Sequence, residues 1–253
     1  MNGDFLALLP KTNFAQISAS AAAPELVQAT TVFAFHCAEG VIIVGDHCAT
    51  AGNTIFSDRT EKILELDSHS LMAIAGVPAT AFEMARTLQT TFEFYRRSQL
   101  QSMSLPAKIR ALSKLLRDNL PATLQGFGVV APIFAGVETA DSSAKPSIYF
   151  YDPLGAQFEA ATYAGSGSGS GSIKSVLHFL EKWGKPRPGE MSLPQATTLA
   201  TRLLMTAAEF DSATGGVHPD QRLFATIKFL SGDGIQTISL DDQERCWKEA
   251  NPV

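Results

Sequence analysis

Between residues 30 and 75 the chain passes through four β-type segments in two pairs, without a crossover helix between them. TTVFAFHCAEGVIIVGD, from residue 30, is two β-branched and aromatic runs around a Gly-containing turn, which reads as a hairpin. KILEL at 62–66 and SLMAIA at 70–75 flank turn-forming Asp67, Ser68 and His69 as a second pair. Parallel neighbours need a crossover of roughly a dozen residues or more, so this early sheet is expected to be antiparallel.

The period then changes. Over residues 78–97, Phe82, Ala85, Leu88, Phe92 and Tyr95 fall three or four apart on one helical face. A second helix starts near Pro106, a residue tolerated in the first turn, and buries Ile109, Leu112, Leu115 or Leu116, and Leu120. Strands are expected at 127–135 and 147–151, helices at 172–183 and 195–210, and a closing hairpin at 222–230 and 235–240 around the turn SGDG. Because helices come in pairs and not one per strand, the order predicts an α+β fold of antiparallel sheets covered by helix layers, and argues against a doubly wound parallel sheet.

Composition narrows the partners. The 253 residues are 45% apolar and 18% charged, enough for a sizeable core. With a net charge of −5 and Lys and Arg spread along the chain, nothing provides a basic stripe for nucleic acid. Cys37, Cys48 and Cys246 show no CxxC spacing and leave one cysteine over in any bridging scheme, which points to a reducing, cytoplasmic setting. No apolar run reaches membrane-spanning length, and the start lacks a basic, long-apolar secretory signal. Residues 1–29, rich in Ala and small polar residues and without clear periodicity, read as a separable leader ahead of a domain at 30–253.

Several residues invite chemistry, each with a plain alternative. Thr30 and Thr31 are ordinary strand formers, Asp46 suits a turn, and Lys62 suits an exposed strand end. His36 with Cys37, and His47 with Cys48, are adjacent on strands and so point to opposite faces, and neither CxxC nor HExxH spacing is present. No metal is expected. GSGSGSGS at 165–172 is not a dinucleotide fingerprint, since no βαβ unit surrounds it, and no cofactor is expected either.

TTVFAF, GVIIVGD with ATAGN behind it, SDRTEK ending in Lys62, AIAG ending in Gly76, and DSATGG at 211–216 together resemble the proteasome β-subunit family in order and spacing, the bacterial members most of all. The resemblance covers nearly everything after residue 29. It implies a four-layer αββα sandwich of two antiparallel sheets flanked by helices, the N-terminal-nucleophile hydrolase fold. It also implies a threonine endopeptidase, made as a precursor that cuts itself before Thr30. A threonine hydroxyl needs an adjacent base. Once Thr30 is N-terminal, its α-amine, with a reference pKa of roughly 7.7 to 8.0, can serve.

The resemblance places Lys62 beside Thr30, Asp46 orienting and balancing Lys62, and the Gly76 N–H as oxyanion donor. Asp211, Thr214 and a serine of the Gly-Ser run form a supporting group; Ser166 and Ser168 both suit the register, and Ser168 is preferred because it keeps IKSVL aligned with the family helix. Ala49, Thr50, Thr60, Leu64, Ile74 and Pro78 would form the substrate-binding pocket, which implies cleavage after apolar residues. Three positions depart from the family's habit: Ala29 replaces the glycine before the nucleophile, Cys48 a basic residue, and Thr214 a serine. Implied partners are further β subunits in a heptameric ring, α-type subunits, a ring ATPase and unfolded proteins. The rival readings are a non-catalytic ring subunit, a smaller ring peptidase of the same superfamily, and an amidase for small molecules.

Overall fold

The computed structural model describes residues 27–29, 31–52, 54–139, 144–218 and 222–250. Most of the expected leader and Thr30 itself therefore lie outside the described residues. In chain order the strands are β1 (Val27–Ala29), β2 (Thr31–Cys37), β3 (Gly40–Gly45), β4 (Ala49–Ala51), β5 (Thr54–Ser57), β6 (Ile63–Asp67) and β7 (Ser70–Ala73). Helices α1 (Pro78–Gln99), α2 (Leu105–Asp118) and α3 (Leu120–Leu124) follow, then β8 (Ile133–Gly136), β9 (Ser147–Tyr151), β10 (Gln157–Ala160) and β11 (Tyr163–Gly167). Helices α4 (Ser170–Trp183) and α5 (Leu193–Phe210), strands β12 (Thr226–Ser231) and β13 (Gly234–Thr237), and helix α6 (Leu240–Ala250) complete it.

Two five-stranded sheets form, ordered β11-β2-β3-β12-β13 and β10-β9-β8-β7-β6, with every neighbouring pair antiparallel. The period of two along a strand sorts the side chains into layers. On β2, Val32 and Ala34 face the second sheet's Ile63, Leu71, Ala73, Ile133 and Ile148. Phe33 and Phe35, one residue out of step, pack with Ile173, Leu177, Ala200 and Leu203 of α4 and α5. On β3, Val41 and Ile43 join the first set, and Ile42 and Val44 the second. Met72, Ile74 and Phe134 carry the second sheet's outer face, under Ala85, Leu88 and Phe92 of α1 and Ile109 and Leu112 of α2. The result is the four-layer αββα sandwich, with strands buried on both faces and hence little polar alternation.

The differences from expectation are local. Residues 127–132 form no strand; only 133–136 enter the sheet, because Val130 instead makes an isolated bridge with Gly76. Leu120 leaves α2 for the short α3, where it is only half-buried. Of the two leucines left open in α2, Leu116 is buried in the core while Leu115 packs against it from the edge. The Gly-Ser run is divided between the end of β11 and the start of α4. Hairpin strands β4 and β5, strands β10 and β11 and the C-terminal helix α6 were not anticipated.

One ion pair supports the helix layer. Lys108 of α2, 1% exposed at its side chain, donates to Asp67 Oδ2 at 2.6 Å and lies 5.6 Å from the Phe92 ring centre. Burial pushes the Asp67 carboxyl up, but Lys108, Ser70 and the His69 N–H together hold it below its ordinary value. Asp67→Asn would leave the Lys108 charge buried without its counter-ion and should cost about 3 kcal/mol in urea unfolding. A depressed folded pKa contributes stability above the unfolded carboxylate value, lost as pH falls through the folded one. The gap between wild type and Asp67→Asn should therefore close below about pH 4, and a gap constant with pH would refute this account.

Candidate active site

The hairpin β2–β3 brings its open end to the start of β6. There Asp46 ends the run from β3, and its backbone N–H donates to the Thr31 carbonyl at 3.3 Å, extending the ladder by one step. Lys62 precedes β6, its carbonyl accepting from the Ile74 N–H at 2.8 Å. Gly45 lets the two approach, since a Cβ there would sit 3.2 Å from Lys62 Cβ. Both side chains are fully shielded from water, and Lys62 Nζ donates to Asp46 Oδ1 in a short ion pair.

The pair is well surrounded. Asp46 Oδ1 also accepts the Thr31 N–H at 3.1 Å, while Oδ2 accepts the N–H groups of Cys48 at 2.9 Å and Gly215 at 2.8 Å. Lys62 donates a second hydrogen to the Cys48 carbonyl at 2.5 Å. Burial pulls the Lys62 pKa below its ordinary value, against the opposing pull of the Asp46 charge. An ammonium held in this way is nearer to releasing a proton than a lysine in water.

A second group meets the first at Thr31. Asp211, immediately after α5, accepts the hydroxyls of Ser168 and Thr214 on Oδ2, both at 2.5 Å, and the Ala213 N–H on Oδ1 at 3.2 Å. Burial raises its pKa, but the Ser168 and Thr214 hydroxyls, the Ala213 N–H and the Lys62 charge together bring it below the ordinary value. Thr214 Oγ1 is in turn 2.5 Å from Thr31 Oγ1. Of the two candidate serines, Ser168 reaches this group, whereas Ser166 donates to the Ala131 carbonyl at 2.6 Å.

Gly76 sits at φ +111°, and a Cβ there would lie 2.1 Å from the Val129 carbonyl oxygen, so only glycine fits. The flanking residues make the bridge bonds, Val77 N–H to Val129 and the Ala75 carbonyl from Ala131, each 2.9 Å. In that arrangement the N–H of Gly76 itself faces away from residues 129–131.

The expected pocket residues are less uniform. Ala49, Thr50, Ile74 and Pro78 are buried, Ile74 within the core under α1, and Thr60 and Leu64 are half-buried. The edge of β4 is occupied by the chain's own β1: Val27, Gln28 and Ala29 pair antiparallel with Ala51, Thr50 and Ala49. A cavity of about 160 Å³ that reaches Asp46 has a different lining, including His47, Cys48, Asp58, Gly215 and His218. The larger cavity, about 450 Å³ between α4, α5 and α6, touches none of these groups. Among the described residues no cluster of His, Cys, Asp or Glu is arranged to hold a metal, and no helix is long and apolar enough to cross a membrane. Sequence reasoning missed Thr31, Gly169 and Gly215; the TT pair and the double glycine of DSATGG were in view, but neither signals a backbone or hydroxyl contact.

The family profile described as proteasome subunit matches residues 26–218. The chain belongs to the proteasome subunit family. A proteasome subunit beta from Stackebrandtia nassauensis is 36% identical over 211 residues, 83% of this chain and 73% of the relative. Proteasome subunit beta 2 of Thermomonospora curvata is 36% identical over 215 residues, 85% and 74% of the two chains. The chain is thus a bacterial, β-type member of a family whose general activity is threonine-dependent proteolysis.

The ion pair in this proteasome-type fold yields an asymmetric prediction. Asp46→Ala strands a fully buried ammonium and should cost about 3 to 5 kcal/mol, whereas Asp46→Ala with Lys62→Met should recover much of that loss. Chemical denaturation of both variants checks it. A double variant no more stable than Asp46→Ala would mean that the buried charge is not what the single change exposes.

Proposed function

We propose that this chain is the catalytic β subunit of a bacterial proteasome, a threonine endopeptidase that cuts its own precursor before Thr30. The observation that carries the reading is convergence: the Asp46–Lys62 pair and the Ser168–Asp211–Thr214 group both close on Thr31, the residue joined by a peptide bond to Thr30. Lys62 and the Thr31 N–H donate to the same Asp46 oxygen, so this buried charge, unlike that of Lys108 in the helix layer, lies next to the residue that follows the proposed nucleophile.

In this mechanism the Thr30 hydroxyl first attacks the Ala29 carbonyl, and the acyl group moves from nitrogen to oxygen. Water hydrolyses the ester, releasing the leader with a free carboxylate and leaving Thr30 with a free α-amine. In the mature subunit that amine takes the hydroxyl proton as Thr30 attacks a substrate carbonyl. The tetrahedral oxyanion accepts a hydrogen bond from the Gly76 N–H; the Thr30 α-ammonium passes its proton to the scissile nitrogen, which leaves as an amine, and water then hydrolyses the acyl ester. Lys62 supplies positive charge beside the hydroxyl, and we assign to Thr30 the third hydrogen of its ammonium, the other two being committed to Asp46 and Cys48. The lowered Lys62 pKa favours a further role in the precursor, where no free α-amine is available as base.

The edge now occupied by β1 supports the same reading for substrates: an extended peptide would pair with β4 once residues 27–29 leave. Ala49, Thr50, Thr60, Leu64, Ile74 and Pro78, with no charged side chain among them, favour cleavage after apolar residues. Other β subunits in a heptameric ring, α-type subunits, a ring ATPase and unfolded proteins are the proposed partners, in the cytoplasm.

Intact mass and N-terminal sequencing of the assembled protein test the proposal. Wild type should begin at Thr30 and Thr30→Ala should stay full length. Wild type that keeps residues 1–29 after assembly would favour the non-catalytic ring subunit instead. For specificity, a fluorogenic peptide panel should be cleaved fastest after apolar residues; preference for Lys, Arg or Asp would discard the pocket assignment.

A further inference from the structure

Thr31 is completely buried at the head of β2 and is held at both ends. Its N–H, part of the planar peptide unit that joins it to Thr30, donates to Asp46 Oδ1 at 3.1 Å. Its hydroxyl lies 2.5 Å from Thr214 Oγ1 and accepts the Gly169 N–H at 3.1 Å. A hydroxyl has one hydrogen to give. Thr214 gives its hydrogen to the Asp211 carboxylate, so Thr31 must give its own to Thr214. The bonds therefore run in one direction, from Gly169 through Thr31 and Thr214 to Asp211.

The packing is built around this pair of hydroxyls. A Cβ at Gly169 would fall 2.5 Å from Thr214 Oγ1 and 2.8 Å from Thr31 Oγ1, so the turn into α4 can approach them only as glycine. Threonine is also stiff about χ1, so a bonded hydroxyl fixes the Thr31 side chain relative to its backbone. Asp46 fixes the peptide plane of the same residue.

We propose that Thr31 is a positioning residue for the reaction: its hydroxyl locks the Ser168–Asp211–Thr214 group to the Asp46–Lys62 pair, and so sets the orientation of the peptide plane that carries Thr30. This rests on the reading of Thr30 as nucleophile. Valine has the shape of threonine, but its methyl cannot sit 2.5 Å from one oxygen and 3.1 Å from a nitrogen, so Thr31→Val forces the two groups apart. Small displacements of reacting groups are costly in rate, and a 1 Å misplacement can cost about a hundredfold.

The test compares wild type, Thr31→Val, Thr31→Ser and Gly169→Ala in the assembled particle, on a fluorogenic apolar peptide, with active sites counted by titration with a peptide boronate. Thr31→Val should lose about tenfold or more in kcat per titrated site, with KM within about twofold, the pattern of lost transition-state alignment. Thr31→Ser, which keeps the hydroxyl, should regain most of the rate. Gly169→Ala, which pries apart the same oxygens from the other side, should resemble Thr31→Val and serves in its place if that variant does not assemble. Full activity per site in Thr31→Val, or in Gly169→Ala if it stands in, overturns the positioning role alone. So does a Thr31→Ser enzyme as slow as Thr31→Val, because the loss would then belong to the methyl group. An assembled wild type that cleaves no peptide overturns the peptidase reading and this role together.

Discussion

A lysine ammonium closed off from water between the ends of two sheets is the constraint around which this end of the sandwich is arranged. Asp46 extends from the first sheet and Lys62 opens the second, so their contact ties the two sheets together at this end. Removing two charges from water costs several kcal/mol for each ion, and Coulomb attraction offsets it only when the remaining lone pairs and hydrogens are also satisfied. That requirement accounts for the neighbours. The carboxylate gathers donors from residues 31, 48, 62 and 215, and the ammonium returns to the Cys48 carbonyl.

The same requirement explains why small residues crowd the site. Backbone N–H groups reach a buried carboxylate only if no side chain intervenes, and a Cβ at Gly215 would stand 3.1 Å from Asp46 Oδ2 and 3.1 Å from Cys48 Cβ. The Gly-Ser run owes its composition to a similar demand. Gly165, Ser166 and Gly167 pair with Phe33, Val32 and Thr31 in the ladder, and the next residues turn at once into α4 under the Thr31 hydroxyl. A sequence that looks like a linker is here a strand edge and a helix start.

This is also where the sequence was hardest to read. Strands β2 and β3 were legible because their apolar runs are continuous, and continuity is what burial on both faces produces. Asp46, Lys62 and Gly76 were legible only as members of a spaced set, since each alone resembles a turn or strand end. Strand β11 gave no periodic signal because two of its five residues are glycines, with no side chains to alternate. Helix α6 was hidden for the opposite reason: LDDQERCWKEA is mostly charged, and only Gln243 and Cys246 are buried. Residues 127–132 misled in the strand direction because apolar composition cannot distinguish a paired strand from a single bridge held against a glycine at positive φ.

Under the proposed mechanism, the short β1–β4–β5 sheet connects the fold to activation. Strand β4 has two edges, one covered by β5 and the other by residues 27–29. A free edge offers backbone donors and acceptors to any extended chain, so the segment just ahead of the proposed nucleophile and an incoming peptide would compete for the same row of bonds. On that reading the leader is held as a substrate is held, in register with residues 49–51, and cutting it converts an intramolecular strand into one that can dissociate. The effective concentration of the tethered strand disappears with the cut. Self-processing would then do two things in one bond cleavage: create the amine that activates Thr30, and vacate the edge on which the next peptide is aligned.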